Sequence, residues 1–158
     1  MKFTLLTHQK ELSRNDNTGS LISQLQDCVT DKVIWQRKDP NQQLVAEIQA
    51  GTAVLLTPDS SGRAITDISS INHLVILDST WQEARKMINK SDYLKQADWF
   101  ALNNPPPSRY NLRRNQIIGG LCTAECAIEI LKLKQMNEAA SQLEVLYAQL
   151  LGRVLKSA

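Results

Sequence analysis

Apolar residues along this chain fall into short runs separated by longer polar stretches, and the alternation predicts strands and helices in turn. Five runs read as strands: Phe3–Leu6, Lys32–Gln36, Thr52–Leu56, His73–Leu77 and Trp99–Leu102. Between the first two, Asn17 or Thr18 is placed to cap a helix through Gln26, with Leu21, Ile22, Leu25 and Val29 on its inner face. Leu44 and Ile48 mark a short helix that Gly51 closes, and Thr57–Gly62 is a loop. A weakly patterned segment, Ile65 to Ile71, precedes the fourth strand. A helix from Thr80 to about Lys90 then turns Trp81, Ala84, Met87 and Ile88 inward and Gln82, Glu83, Arg85, Lys86 and Lys90 outward. Pro105–Pro107 must be a stiff extended loop, since neither a strand nor a helix interior tolerates it. Two helices, Thr123 to about Met136 and Glu138 to Leu155, end the chain. Strand–helix alternation of this kind predicts one α/β domain with a mostly parallel sheet flanked by helices.

The fourth run stops abruptly at Asp78, and Ser79, Thr80 and Trp81 crowd the turn into the helix. Ligands of open α/β sheets bind beyond the carboxyl ends of the strands, so Asp78–Trp81 is the expected chemical centre. Composition adds limits rather than a function. A length of 158 residues suits one domain, and 42% hydrophobic with 22% charged residues describes a globular chain. No apolar run approaches the roughly 18 residues of a membrane span, and no signal peptide precedes the first strand, so a cytoplasmic protein is expected. Three cysteines, Cys28, Cys122 and Cys126, make no disulfide framework. A net charge of only +2 permits an RNA partner if the basic residues cluster locally.

Asp78-Ser-Thr-Trp81 resembles the D-x-T-W signature of DTW-domain proteins. Further blocks follow in the same order: His8 with Asn17-Thr18-Gly19, Leu55–Pro58, Trp81–Met87, Ser108 with Arg113-Arg114, and Gly120–Glu125. The resemblance implies a tRNA-uridine aminocarboxypropyltransferase. Such an enzyme moves the 3-amino-3-carboxypropyl group of S-adenosylmethionine to N3 of a uridine and releases methylthioadenosine. It also implies a SPOUT-like fold with a C-terminal trefoil knot. Many members carry an N-terminal cysteine-rich zinc cluster. Here the first cysteine is Cys28, alone, so residues 1–158 are expected to form a single DTW domain without that cluster and without a metal.

Within that resemblance, Asp78, Thr80 and Trp81 are the catalytic candidates. Asp78 would accept the N3 proton or orient the base, and its charge would favour the donor's sulfonium; alternatively it only caps the following helix. Thr80 either bonds cofactor or phosphate or is itself a cap. Trp81 either stacks on a base or, as favoured here, packs as pocket wall. Leu56, Thr57, Pro58 and Leu77 would line the adenine side. Gly119 and Gly120 open a helix whose first residues, Leu121, Cys122, Thr123 and Glu125, would meet the rest of the donor; a capping box at Glu125 is the rival reading. Cys122 and Cys126 share a helix face and read as packing. Arg113 would clamp the donor carboxylate. Arg37, Lys38, Arg85, Lys86, Arg109 and Arg114 form the expected RNA-phosphate set, with Trp35 and Tyr110 available for stacking. His8 and His73 show no partner at catalytic spacing, and His73 reads as structural. An RNA methyltransferase of the same fold group and a non-catalytic RNA-binding factor remain rival functions.

Overall fold

A computed structural model describes residues 1–58, 60–112 and 120–157. Its centre is a five-stranded sheet: β1 (Lys2–Thr7), β2 (Val29–Ile34), β3 (Val54–Leu56), β4 (His73–Asp78) and β5 (Trp99–Phe100). The spatial order is β2-β1-β4-β3-β5, and every pairing is parallel. Parallel strands need crossover segments, which here cover both faces of the sheet. Helices α1 (Gln42–Gln49), α2 (Trp81–Asn89) and α3 (Asp92–Lys95) lie on one face; α4 (Thr123–Leu133) and α5 (Asn137–Ser157) lie on the other.

Alternation along the strands splits the core accordingly. Phe3, Leu5, Leu74 and Ile76 pack with Ile128, Leu131, Leu143 and Tyr147. Leu6, Leu55 and Val75 pack with Leu44, Ile48, Met87 and Leu94. β4 has neighbours on both edges and buried residues on both faces, which is why its sequence is a continuous apolar run.

Several boundaries differ from the expectations. The segment after Thr18 is a 3-10 turn, Gly19–Gln24, too short for an α-helix. β2 begins at Val29, because its register with β1 pairs Lys2 with Val29 and Thr7 with Ile34. As an edge strand it leaves Val29 and Ile34 62% and 45% exposed, so no apolar run announces its start. β5 is two residues long, against the four expected. Within α2 it is Met87 that is fully buried, worth about 1.5–3 kcal/mol. Trp81 stands 40% exposed, so the expectation that it packs in the core is corrected. A first-turn residue beside the strand end projects past the sheet edge rather than onto its face. Gly51 does close α1, with φ of +72°.

The β3–β4 connection runs around β5. On one edge β5 pairs with β3; on the other, Trp99 N–H donates to the Arg63 carbonyl at 2.9 Å and Ile65 N–H to the Trp99 carbonyl at 2.7 Å. The outgoing arm passes on the α3 side, where the Ser60 and Ser61 hydroxyls both bond the Lys95 carbonyl at 2.6 and 2.5 Å. The returning arm passes on the α4 side, where Lys134 Nζ holds the carbonyls of Ile68, Ser69 and Ile71.

Candidate active site at the carboxyl edge of the sheet

Register alone aligns Thr7, the last residue of β1, with Asp78, the last of β4. The Asp78 side chain is 1% exposed and sits on the α4 side of the edge. Asn17 Nδ2 donates to both carboxylate oxygens at 3.0 Å, Thr7 Oγ1 to Oδ2 at 3.3 Å, and Thr123 Oγ1 to Oδ1 at 3.0 Å. Asp78 therefore ties together β1, the first loop, β4 and the start of α4. A buried carboxylate is tolerable only with such partners. Gly19 completes the fit, since a Cβ there would lie 2.8 Å from Asp78 Oδ1. Asn17 Nδ2 also donates to Glu11, itself 2% exposed, at 3.2 Å. The next residue, Ser79, has a buried hydroxyl oxygen with no hydrogen-bond partner among the described residues.

Asp78 does not cap α2. Thr80 does: its Oγ1 accepts from Glu83 N–H at 3.3 Å, and Glu83 Oε2 accepts from Thr80 N–H at 3.1 Å, a reciprocal capping box. Burial raises the Glu83 pKa, but its bonds to Thr80 and the nearby His8 and Lys10 outweigh that and leave it below the ordinary value.

A second buried carboxylate organises the start of α4. Glu125 is 5% exposed and accepts from Ser108 Oγ and Arg109 N–H at 2.6 Å, Cys122 N–H at 3.0 Å and the Tyr147 hydroxyl at 3.1 Å. Four donors, two backbone amides and two hydroxyls, match the acceptor sites of a carboxylate, so this side chain is engaged within the chain and closes the capping box at Cys122. Burial and the neighbouring Cys122 and Glu125 push the Tyr147 hydroxyl far up, so it donates. Arg109 stacks its guanidinium 5.3 Å from the Tyr147 ring centre and is otherwise exposed. Tyr110 donates from its hydroxyl to the Asp16 carbonyl at 2.9 Å, drawing the segment after β5 back across the carboxyl edge to the first loop. Thr18 Oγ1 accepts from Ala124 N–H at 3.1 Å and fastens α4 to the same loop.

Of the remaining residues singled out from the sequence, Leu56 and Leu77 are half-buried at adjacent strand ends, Thr57 is buried and Pro58 is exposed. Buried Leu121 and half-buried Cys122 lead directly into Thr123. Arg37, Lys38, Arg85 and Lys86 are exposed. Arg113, Arg114 and Gly119 lie outside the described residues. Tyr110 is buried by its bond rather than offered for stacking, whereas half-buried Trp35 stacks on His8 with centroids 5.8 Å apart. His73 is structural as expected: its ring bonds Thr4 Oγ1 at 2.7 Å and faces Glu47 at 3.4 Å. Burial and nearby Lys2 hold its pKa down.

Sequence reasoning missed Thr7 and Tyr147, assigned no role to Glu11 or Ser108, and gave Asn17 none beyond a cap. Thr7 had a signal, since it ends the apolar run that precedes His8. Two shallow depressions elsewhere, around Gly51, Arg63 and Asp98 and around Lys2, Asp31 and Glu47, lie toward the amino ends of the strands. Their charges are already neutralised in ion pairs of 2.8 Å (Arg63–Asp98) and 3.1 Å (Lys2–Asp31), so the carboxyl edge is the stronger candidate.

An all-parallel, doubly covered sheet with its polar residues converging on the carboxyl ends of β1 and β4 is an α/β domain with its candidate ligand site where open sheets of this class bind ligands. The family model of the DTW domain matches residues 1–155. The chain belongs to the DTW-domain family, the family of tRNA aminocarboxypropyltransferases, which gives it the role of a tRNA-modifying enzyme. No solved structure matches it. No helix among the described residues is long and apolar enough to cross a membrane.

Proposed function

We propose that the protein transfers the 3-amino-3-carboxypropyl group of S-adenosylmethionine to N3 of a tRNA uridine, leaving methylthioadenosine. The observation that carries this reading is the buried carboxylate of Asp78 at the carboxyl ends of β1 and β4. A fixed negative charge in a site of low dielectric favours a positively charged sulfonium donor. Leu56 and Leu77, half-buried on neighbouring strands, would wall the adenine, with Thr57 and Pro58 beside them. Cys122 packs against the same α4-side cluster as Leu56, and Thr123 beside it bonds Asp78. Arg113 would neutralise the donor carboxylate. The donor supplies an electrophilic carbon next to a leaving thioether. The chain supplies orientation, a dry negative floor and a place for the proton.

In this reading Asp78 is the floor and the hinge-pin, not the proton acceptor. Its oxygens are faced by donors from three side chains, Asn17, Thr123 and a Thr7 hydroxyl shared with the Leu5 carbonyl, and the group is 1% exposed. Thr80 and Trp81 likewise divide: Thr80 holds Glu83, while exposed Trp81 is free to stack on a nucleobase, worth about 1–3 kcal/mol. Arg37, Lys38, Arg85, Lys86, Arg109 and Arg114 would hold tRNA phosphates.

The SPOUT-like knot is part of the proposal. It is supported by the passage of β5 inside the β3–β4 connection and by the return of the 101–112 segment across the edge to Asp16. Free cysteines suit action in the cytoplasm, where the tRNA is. Incubation of the protein with unmodified tRNA and donor labelled in the carboxypropyl carbons is expected to label uridine. Label arriving only from the methyl carbon would replace this reading with methyl transfer, and tRNA binding without any product would replace it with a non-catalytic RNA-binding factor.

A further inference from the structure

Alkylation at N3 requires that the imide proton leave, and the group that receives it needs an open lone pair facing the acceptor. Asp78 has none to spare. One residue at the same edge does: His8, which immediately follows β1 and whose backbone N–H donates to the Asp78 carbonyl at 3.1 Å. Its side chain belongs to the α2 face of the edge and is 13% exposed. Asp78 and His8 thus border the edge from its two sides.

The imidazole is held on three sides. The Trp35 indole lies against it, with an interplanar angle of 21°. That indole is pinned in turn, its Nε1–H donating to buried Ser91 Oγ at 2.9 Å. Nδ1 faces inward: it accepts the Lys10 backbone N–H at 3.3 Å and lies 3.9 Å from Glu83 Oε1. Lys10 Nζ is 3.7 Å from the same Glu83 oxygen. Nε2 has no partner among the described residues. Glu83 cannot swing away, because its other oxygen is held by Thr80 N–H. A carboxylate at Nδ1, a stacked ring and an unengaged Nε2 together make an oriented acid–base dyad.

We infer that His8 is a catalytic residue of this site: its Nε2 takes the N3 proton of the acceptor uridine while the Glu83 carboxylate, fixed by Thr80, stabilises the imidazolium at Nδ1. The inference rests on the transfer reading above. In the step, the N3–H bond breaks and the proton goes to Nε2. The N3 electron pair forms the new N–C bond, and the C–S bond breaks with its pair returning to sulfur as a neutral thioether. The imidazolium afterwards releases its proton to water. With Nδ1 accepting the Lys10 N–H, the neutral ring carries its proton on Nε2. The reactive form is the other tautomer: the long Lys10 bond of 3.3 Å gives way, Nδ1–H turns to Glu83, and the Nε2 lone pair is open before the N3 proton arrives. The arrangement gives Thr80 a task beyond capping, since it aims the carboxylate that aims the imidazole.

The test uses the full chain with unmodified tRNA. His8→Phe keeps the stack on Trp35 but has no base. It is expected to lower kcat by about 100-fold or more, the usual worth of a general base, with tRNA affinity little changed. Free imidazole is expected to restore part of the rate to His8→Ala. Glu83→Gln, which a capping box accepts, is expected to lower kcat less and to reduce the share of the Nδ1–H tautomer read from the ¹⁵N signals of His8. A His8→Phe variant as fast as wild type overturns the assignment and leaves His8 as a stacking residue. His8 ¹⁵N signals identical in wild type and Glu83→Gln overturn the dyad. Wild type that labels no uridine overturns the transfer reading and this inference with it, a result distinct from loss in the variants alone.

Discussion

Asn17 and Asp78, 61 positions apart, meet through one side-chain amide that bonds both oxygens of one carboxylate at 3.0 Å. The pairing makes the acidic residue of the D-x-T-W motif a joint between segments before it is anything else. Asp78→Asn replaces an acceptor by a donor that must face the Asn17 amide or a threonine hydroxyl. The expected loss is about 1–3 kcal/mol for an unsatisfied buried group. Thermal unfolding would register that as a fall of about 2–4 °C per kcal/mol for a chain of this size. Transfer activity is expected to vanish alongside.

Gly19→Ala should reproduce part of that loss without touching any charge. The added methyl would stand 2.8 Å from Asp78 Oδ1, closer than contact permits, so the first loop must lift away. A drop in Tm together with weaker donor binding by calorimetry is expected; a fully stable, fully active variant would contradict the close packing.

Glu83 gives a pH signature. Its folded pKa lies below the ordinary carboxyl value of 4.5, despite burial, through its bonds to Thr80 and its neighbours His8 and Lys10. A carboxyl depressed on folding stabilises the fold fully above its unfolded pKa, and that contribution is lost as pH falls through the folded pKa. Wild type is therefore expected to exceed Glu83→Gln in stability at neutral pH, with the gap shrinking below about pH 4.5 in urea-unfolding curves.

Gly62→Ala probes the arm that passes around β5. A Cβ at position 62 would collide with the Ala97 carbonyl oxygen, and the backbone there has no flexible end to move. Overpacking of this kind costs about 1–3 kcal/mol. The expected readout is faster hydrogen exchange at Ile65 and Trp99, whose amides bridge this arm and β5.

The helix-start thiols should be unreactive. Burial first, with neighbouring Glu125, pushes Cys122 up to about 11; burial, with Cys122 and Glu125, takes Cys126 to about 12. Only thiolates alkylate readily. Mass spectrometry after iodoacetamide at pH 7.5 is expected to find both unmodified in the native protein and modified in denaturant.

The junction of β4 and α2 was legible to within a residue, because an apolar strand buried on both faces ends where Asp78 begins the polar turn. The fold class followed from alternation, whereas Thr80 was left open between a ligand bond and a cap, which its bonds with Glu83 decide for the cap. β2 was misplaced because exposed Val29 and Ile34 at a sheet edge carry no burial pattern. Trp81 was misread because size suggested core, whereas position at the sheet edge decides. Least legible was the Asp78 network: Thr7, Asn17 and Thr123 lie 71, 61 and 45 positions away, and no local periodicity encodes contacts at such separations. His8 was dismissed for the same reason, its partner Glu83 lying beyond any sequence spacing that signals a dyad.

Thr123 reaches Asp78 across 45 residues, and Tyr110 closes on Asp16 across 94. During synthesis, then, a chain that has so far delivered only β4 and α2 holds Asp78 without one of its tethers. Only when the last helical pair docks do the first loop and the strand ends lock. The order of translation thus acts as a safeguard: truncated products carry the motif but not the machine.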